Sequence, residues 1–118
     1  MSNFEKLDVW HKAIDFADSI YSATHTFPGD ERFGLTNQMR RAAVSISSNI
    51  AEGTSCVSKK DFAHFIEIAT GSVFEVVSQA TISKRRNFLS GEDYQRIYSA
   101  AEEQSRMLSG LRRSLVGE

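Results

Sequence analysis

Hydrophobic positions along this chain recur at intervals of three and four in four separate runs, and no run alternates as a strand would. The first run, Leu7, Trp10, Ile14, Ala17, Tyr21 and Thr24, predicts a helix from about Leu7 to Thr26 with those residues as its core stripe. Val9, Ala13, Phe16 and Ile20 widen its apolar arc beyond that stripe. Asp8, His11, Lys12, Asp15, Asp18 and Ser22 form the polar side. Such a wide arc suits either deep burial within the bundle or an outer edge that meets another subunit. In the second run, from Gly34 to Gly53, Met39, Ala42, Ala43, Ile46 and Ile50 fall on one face. The third run, Lys59 to about Phe88, places Phe62, Phe65, Ile66, Ala69, Val73, Val76, Val77 and Ala80 inward and leaves Ile68 and Phe74 as spare apolar surface. The fourth runs through Tyr94, Ile97, Ala101, Leu108, Leu111 and Leu115.

Punctuation between the runs agrees with these limits. Pro28 and Gly29 break the first helix, and Gly34 precedes the second. Ser58 with Asp61, and Ser90 with Asp93, have the spacing of a capping box at the starts of the third and fourth helices. Four helices of roughly 20–30 residues joined by short connections predict an all-α, antiparallel up-down-up-down four-helix bundle. Small residues at Ala42, Ala43, Ala69, Gly71 and Ser72 are expected to bring the second and third helices close together. Neither a linker, a low-complexity tract nor an internal repeat divides residues 1–118, so one domain is expected.

A second pattern lies beside the apolar face of the second helix. Gln38, Arg41, Ser45, Asn49 and Glu52 form a polar row at spacings of three and four. Read structurally, Ser45 and Asn49 bond across to Ser72 and Glu75 of the third helix, and Arg41 pairs with Glu52 or Glu75. Read functionally, Arg40 and Arg41 bind a phosphate.

Composition narrows the classes of function. The 118 residues are 25% charged and 41% hydrophobic, with a formal net charge of −1, so a claim of nucleic-acid binding needs a local basic patch. An antiparallel bundle supplies one. The end shared by the C-termini of the first and third helices and the N-termini of the second and fourth gathers Arg32, Arg40, Arg41, Lys84, Arg85, Arg86 and Arg96. Against them stand Asp30, Glu31, Glu92 and Asp93, leaving an excess of three positive charges. The alternative role for Lys84, Arg85 and Arg86 is to complement the dipole of the third helix. The single cysteine, Cys56, suits a reducing compartment. No apolar run approaches the ~18 residues of a membrane span, and the first residues lack a signal-peptide core, so the expected location is cytoplasmic.

Reactive constellations are not apparent. His11, His25 and His64 lack ligand spacing, with His64 and Glu67 the nearest approach, and a bundle di-metal centre needs Glu-x-x-His from two helices. No metal and no cofactor is expected. Cys56 has no neighbouring histidine to activate it. Ser45, Ser47 and Ser48 have no nucleophile-elbow context, and a glycine-rich phosphate loop is missing.

The segments V-W-H-K-A-I-D at 9–15, F-P-G-D-E-R-F-G-L-T-N-Q-M-R-R-A-A-V-S-I-S-S-N-I-A-E-G at 27–53 and F-I-E-I-A-T-G-S-V-F-E at 65–75 resemble the bacterial 23S rRNA-intervening-sequence proteins. The resemblance implies a small helical subunit of a homo-oligomer, a five-fold ring, with no enzymatic activity. Some members are encoded within insertions of the large ribosomal RNA gene. The family is similar in fold to the accessory protein of diversity-generating retroelements, a basic ring that works with a reverse transcriptase and nucleic acid. Positions that match are Arg40, Arg41, Ser45, Asn49, Glu52, Gly53, Gly71, Ser72 and Glu75. One departure is Cys56 and Val57, where relatives usually place a basic residue. The expected function is that of a scaffold or adaptor touching RNA or DNA through the basic end; the competing expectation is an adaptor that binds only protein.

Overall fold

The computed structural model describes residues 3–117, and every regular element among them is helical. A short 3-10 turn at Asn3–Lys6 leads into α1 (Asp8–Thr24), and a second at Gly29–Glu31 precedes α2 (Leu35–Thr54). They are followed by α3 (Lys59–Arg85) and α4 (Gly91–Val116). Side chains at the helix starts set these limits. The Ser58 hydroxyl accepts the Asp61 N–H at 3.1 Å, and the Ser90 hydroxyl accepts that of Asp93 at 3.0 Å. For α2 the same work is done from a distance, by the Glu31 carboxylate accepting the Leu35 N–H at 3.0 Å. Gly34 makes this possible, since a Cβ there would stand 2.7 Å from that carboxylate oxygen.

The third helix stops three residues short of the expected Phe88. Asn87 adopts the left-handed conformation at φ 63°, the Asn87 N–H returns to the Lys84 carbonyl, and the Phe88 N–H returns to that of Ser83. This is the double closure that ends many helices, with Asn in the place glycine usually takes.

Buried side chains from all four helices form one continuous cluster. In α2 it comprises Met39, Ala42, Ala43, Ile46 and Ile50, as the period predicts. In α1 the buried row is Val9, Ala13, Phe16, Ala17, Ile20 and Thr24. The expected stripe was rotated by about 80° at 100° per residue: Ile14 and Tyr21 lie outside, each more than 40% exposed. Both rows are apolar, and Ala17 and Thr24 belong to both. Val9, Ala13 and Ile20 carry no side-chain polar atom to desolvate, whereas Trp10 and Tyr21 each carry one. In α3 the interior takes Ile66, Ala69, Val73, Val76 and Ala80, with Phe62, Phe65 and Val77 half-buried. Ile68 and Phe74 are exposed, as expected.

Neighbouring helices meet at identifiable points. Arg40 of α2 reaches Thr24 of α1 at 2.9 Å, and Ser83 of α3 donates to the Met39 sulfur of α2 at 3.5 Å. Halfway along, the hydroxyls of Ser45 and Ser72 bond at 3.0 Å, and further on the backbone of Gly53 approaches Phe62 and Phe65. Thr81 and Tyr94 join α3 to α4 at 3.1 Å, and Arg112 reaches Glu67 at 3.3 Å. Across the α1–α4 seam the buried Gln104 amide donates to the Val9 carbonyl at 3.2 Å, and Lys12 pairs with Glu103 at 3.4 Å. The molecule measures 43 × 25 × 19 Å.

The small-residue expectation for α2 and α3 needs one correction. Gly71 is exposed, and a Cβ there would meet nothing within 4 Å. The close approach occurs at Gly53.

Candidate nucleic-acid interface

Two connections share one end of the bundle. Phe27, in the α1–α2 connection, packs its ring against Phe88 of the α3–α4 connection with centroids 5.9 Å apart. Around this aromatic clasp stand Arg32 on one connection and Lys84, Arg85 and Arg86 where α3 ends, all four exposed. Lys84 and Arg85 in the last turn of α3, with Arg86 as its C-cap, suit the negative end of the helix dipole.

The carboxylates of this end are largely engaged elsewhere. Glu31 caps α2 through the Leu35 N–H, and Glu92 and Asp93 hold Arg96 at 2.8 and 3.4 Å. Among the described residues no carboxylate pairs with Arg32, Lys84, Arg85 or Arg86. Three of these cations instead lie over aromatic faces: Arg32 over Phe33 at 5.3 Å, Lys84 over Tyr94 at 4.9 Å and Arg86 over Phe88 at 5.9 Å. A cation on a ring face keeps N–H donors free for an anion.

Arg40 and Arg41, adjacent in sequence, are sent to different sides of α2. Arg40 is half-buried; its Nε donates to the Thr24 hydroxyl and its guanidinium lies 4.6 Å from the Tyr21 ring centre. It closes the end of α1 rather than facing outward. Arg41 is exposed on the α3 side.

There it lines a cleft of about 350 Å³ with Gln38, Ser45, Ser72 and Glu75. Of the expected bonds across this seam, the structure makes the one between Ser45 and Ser72. Asn49 turns instead to its own helix, donating to the Ser45 carbonyl at 2.8 Å and hydroxyl at 3.0 Å. Arg41 pairs with neither Glu52 nor Glu75; all three are exposed, where an ion pair gains little over hydration. Glu75 accepts from the Gln79 amide at 3.4 Å.

Thr24 lies within the core as the period of α1 predicts, and Gln79, Ser83 and Gln104, which the apolar runs pass over, are buried there too. Thr24 and Ser83 bond the carbonyls of Ile20 and Gln79 one turn back, at 2.7 and 2.8 Å. A hydroxyl satisfied within its own helix enters a core at little cost, and sequence offers no sign of it. Gln79 is different, because its Oε1 is buried without a partner.

Histidines and cysteine stand apart from these sites. His11 contacts the Glu5 carbonyl at 2.7 Å, and the His64 ring lies edge-on to Phe65. Among the described residues no group of three potential metal ligands gathers. Cys56 lies in the α2–α3 connection, half-buried, with its sulfur 3.7 Å from the Glu52 carbonyl. A groove of about 510 Å³ between α1 and α4 is lined by residues of both charges, including Lys12, Asp15, Arg96 and Glu103. Among the described residues no helix is long and apolar enough to cross a membrane.

Comparison with known proteins adds a relationship to this geometry. A solved structure of a protein of unknown function from the S23 ribosomal protein family of Bacteroides thetaiotaomicron superposes with a TM-score of 0.82. It is 24% identical and the match covers 89% of this chain and 98% of that one, a likeness that establishes the fold. No curated protein matches the chain. The family model described as 23S rRNA-intervening sequence protein matches residues 5–110, nine-tenths of the sequence. The chain therefore belongs to the 23S rRNA-intervening sequence protein family.

Proposed function

We propose that this protein is a non-enzymatic, homo-oligomeric scaffold or adaptor whose basic end contacts the phosphate backbone of RNA or DNA. The observation that carries this reading is the set of exposed cations, Arg32, Lys84, Arg85 and Arg86, gathered around the Phe27–Phe88 clasp without carboxylate partners. Arg41 flanks them. Arg40, committed to Thr24 and Tyr21, is left out of the contact set. The subunit is an antiparallel up-down-up-down bundle in this reading, supported by pairings in which ascending positions on one helix meet descending ones on the next: Met39 with Ser83, Ser45 with Ser72, and Gly53 with Phe62.

Two unlike apolar sides support assembly. Ile14, Tyr21 and Val44 are exposed along α1 and α2, and Phe74 and Tyr98 along α3 and α4. Contacts between different faces of identical chains are head-to-tail, and when the rotation closes they make rings. A ring of five repeats each basic end five times on one rim.

Binding of this kind is weak per subunit, indifferent to sequence and steeply lowered by salt through counterion release. The test is a gel-shift titration with RNA and with DNA at about 50 mM salt, a range in which phosphate contacts are strong. Replacing Lys84, Arg85 and Arg86 together by Gln or Ser should keep the helical content and flatten the salt dependence. If nothing shifts at tens of micromolar protein, nucleic acid is removed from the reading. What then stands is the protein-only adaptor.

A further inference from the structure

Phe33 is the most exposed large hydrophobic residue at the basic end, with 85% of its surface open to water. Phe27 is buried against Phe88, Phe88 and Tyr94 are half-buried against the core, and the more open Tyr21 lies under the Arg40 guanidinium. Leaving a phenyl ring in water forgoes the gain its burial would bring. The segment around it is tied down by backbone hydrogen bonds. The Glu31 N–H bonds the Pro28 carbonyl at 2.9 Å, that of Arg32 bonds Gly29 at 3.2 Å, and that of Gly34 bonds Glu31 at 2.9 Å. On the other side Gln38 bonds back to the Gly34 carbonyl at 3.0 Å and Leu35 is pinned by the Glu31 carboxylate. Phe33 thus projects from a turn whose neighbours on both sides are hydrogen-bonded.

We propose that Phe33 is a stacking platform for an unpaired base, so that the nucleic acid received at this end is single-stranded. The inference rests on the reading of this end as a phosphate-binding face, and it names the form of nucleic acid taken there. Arg32 covers one face of the ring at 5.3 Å, and the high exposure of the side chain leaves the opposite face free. Every base presents a π-face, so an aromatic platform beside backbone-binding cations holds a strand without reading its sequence. In a duplex those faces are already stacked on their neighbours. Only a single strand, a loop or a frayed end offers one at no unstacking cost. Charge favours a polyanion as the occupant, because Arg32 has no carboxylate partner among the described residues. A polyanion with flat apolar bases matches both halves of the surface.

Fluorescence anisotropy with a labelled mixed-sequence 20-nucleotide RNA, and with the same sequence as a duplex, tests this at about 50 mM salt. The single strand should bind at least several-fold more tightly than the duplex. Phe33→Ala should weaken single-strand binding by about 5- to 100-fold, leave duplex binding and the salt dependence unchanged, and retain helical content. Phe33→Trp should restore the preference. Equal single-strand binding by wild type and Phe33→Ala overturns the inference. If the Lys84, Arg85 and Arg86 substitutions still weaken binding in that case, the functional reading stands without it. Absence of any wild-type binding removes both. A drop in the molecular mass of Phe33→Ala on light scattering assigns the ring to an interface between copies and also overturns the inference.

Discussion

A Cβ at Gly53 would stand 2.7 Å from the Phe62 ring and 3.2 Å from the Phe65 Cβ, whereas one at Gly71 meets open space. Both glycines lie inside helices, where alanine is favoured by about 1 kcal/mol. Gly71→Ala should therefore stabilise the fold by about 0.5–1 kcal/mol. At Gly53 the same gain is opposed by overpacking of roughly 1–3 kcal/mol, because Phe62 and Phe65 must both give way. Gly53→Ala is expected to leave the melting temperature unchanged or lower it, and Gly53→Val to lower it clearly. Thermal melts followed by circular dichroism compare the three, and a Gly53→Ala melt raised as far as that of Gly71→Ala would show that Phe62 repacks freely. Residues of this sort are poorly legible in sequence. Spacing assigns a glycine to a helix, but the face it occupies depends on a neighbour that periodicity does not see. Gln79 and Gln104 are the polar counterpart: neither belongs to an apolar run, and both are buried.

Helix limits were far more legible, since they depend on local chemistry. Ser58 and Ser90 each accept the N–H three residues on, and both helices start directly after them. Replacing either serine by alanine should cost about 1 kcal/mol, read as a lower urea midpoint with an unchanged slope. A loss well below that for both would mean that water replaces the caps without penalty. The end of α3 was misjudged because Asn87, not glycine, takes the left-handed position. The inward face of α1 was misjudged for another reason: two apolar rows share Ala17 and Thr24, and only contact with α2 and α4 decides between them. That contact includes Arg40 on Thr24 and Gln104 on Val9, pairs separated by 16 and 95 positions. The candidate site was legible as a cluster of charges, but not in its pairing. Arg40 and Arg41 are adjacent in sequence yet diverge, and the turn that holds Phe33 outward depends on a Glu31 carboxylate reaching across Gly34.

For the molecule as a whole, exposed apolar surface on two sides is the dominant unexplained feature. Phe74 is 63% exposed beside Tyr98, and Ile14, Tyr21 and Val44 are each 40% exposed or more on the other side. Light scattering should return a multiple of the 13.2 kDa chain mass. Phe74→Asp should shift the distribution toward the monomer, since a charge placed in an apolar contact is costly to bury. A monomer mass across micromolar concentrations would count against assembly.

Cys56 turns these questions into ones that can be counted molecule by molecule. It is the sole thiol of the chain, and it lies in the connection beyond the far end of α2, whose 20 residues span about 30 Å. One maleimide dye per subunit can thus be attached at a distance from Phe33 and Lys84, with no engineered residue. The number of bleaching steps in a single particle then equals the number of copies it contains. Energy transfer from the same dye to a labelled strand reports which rim of the particle the strand approaches.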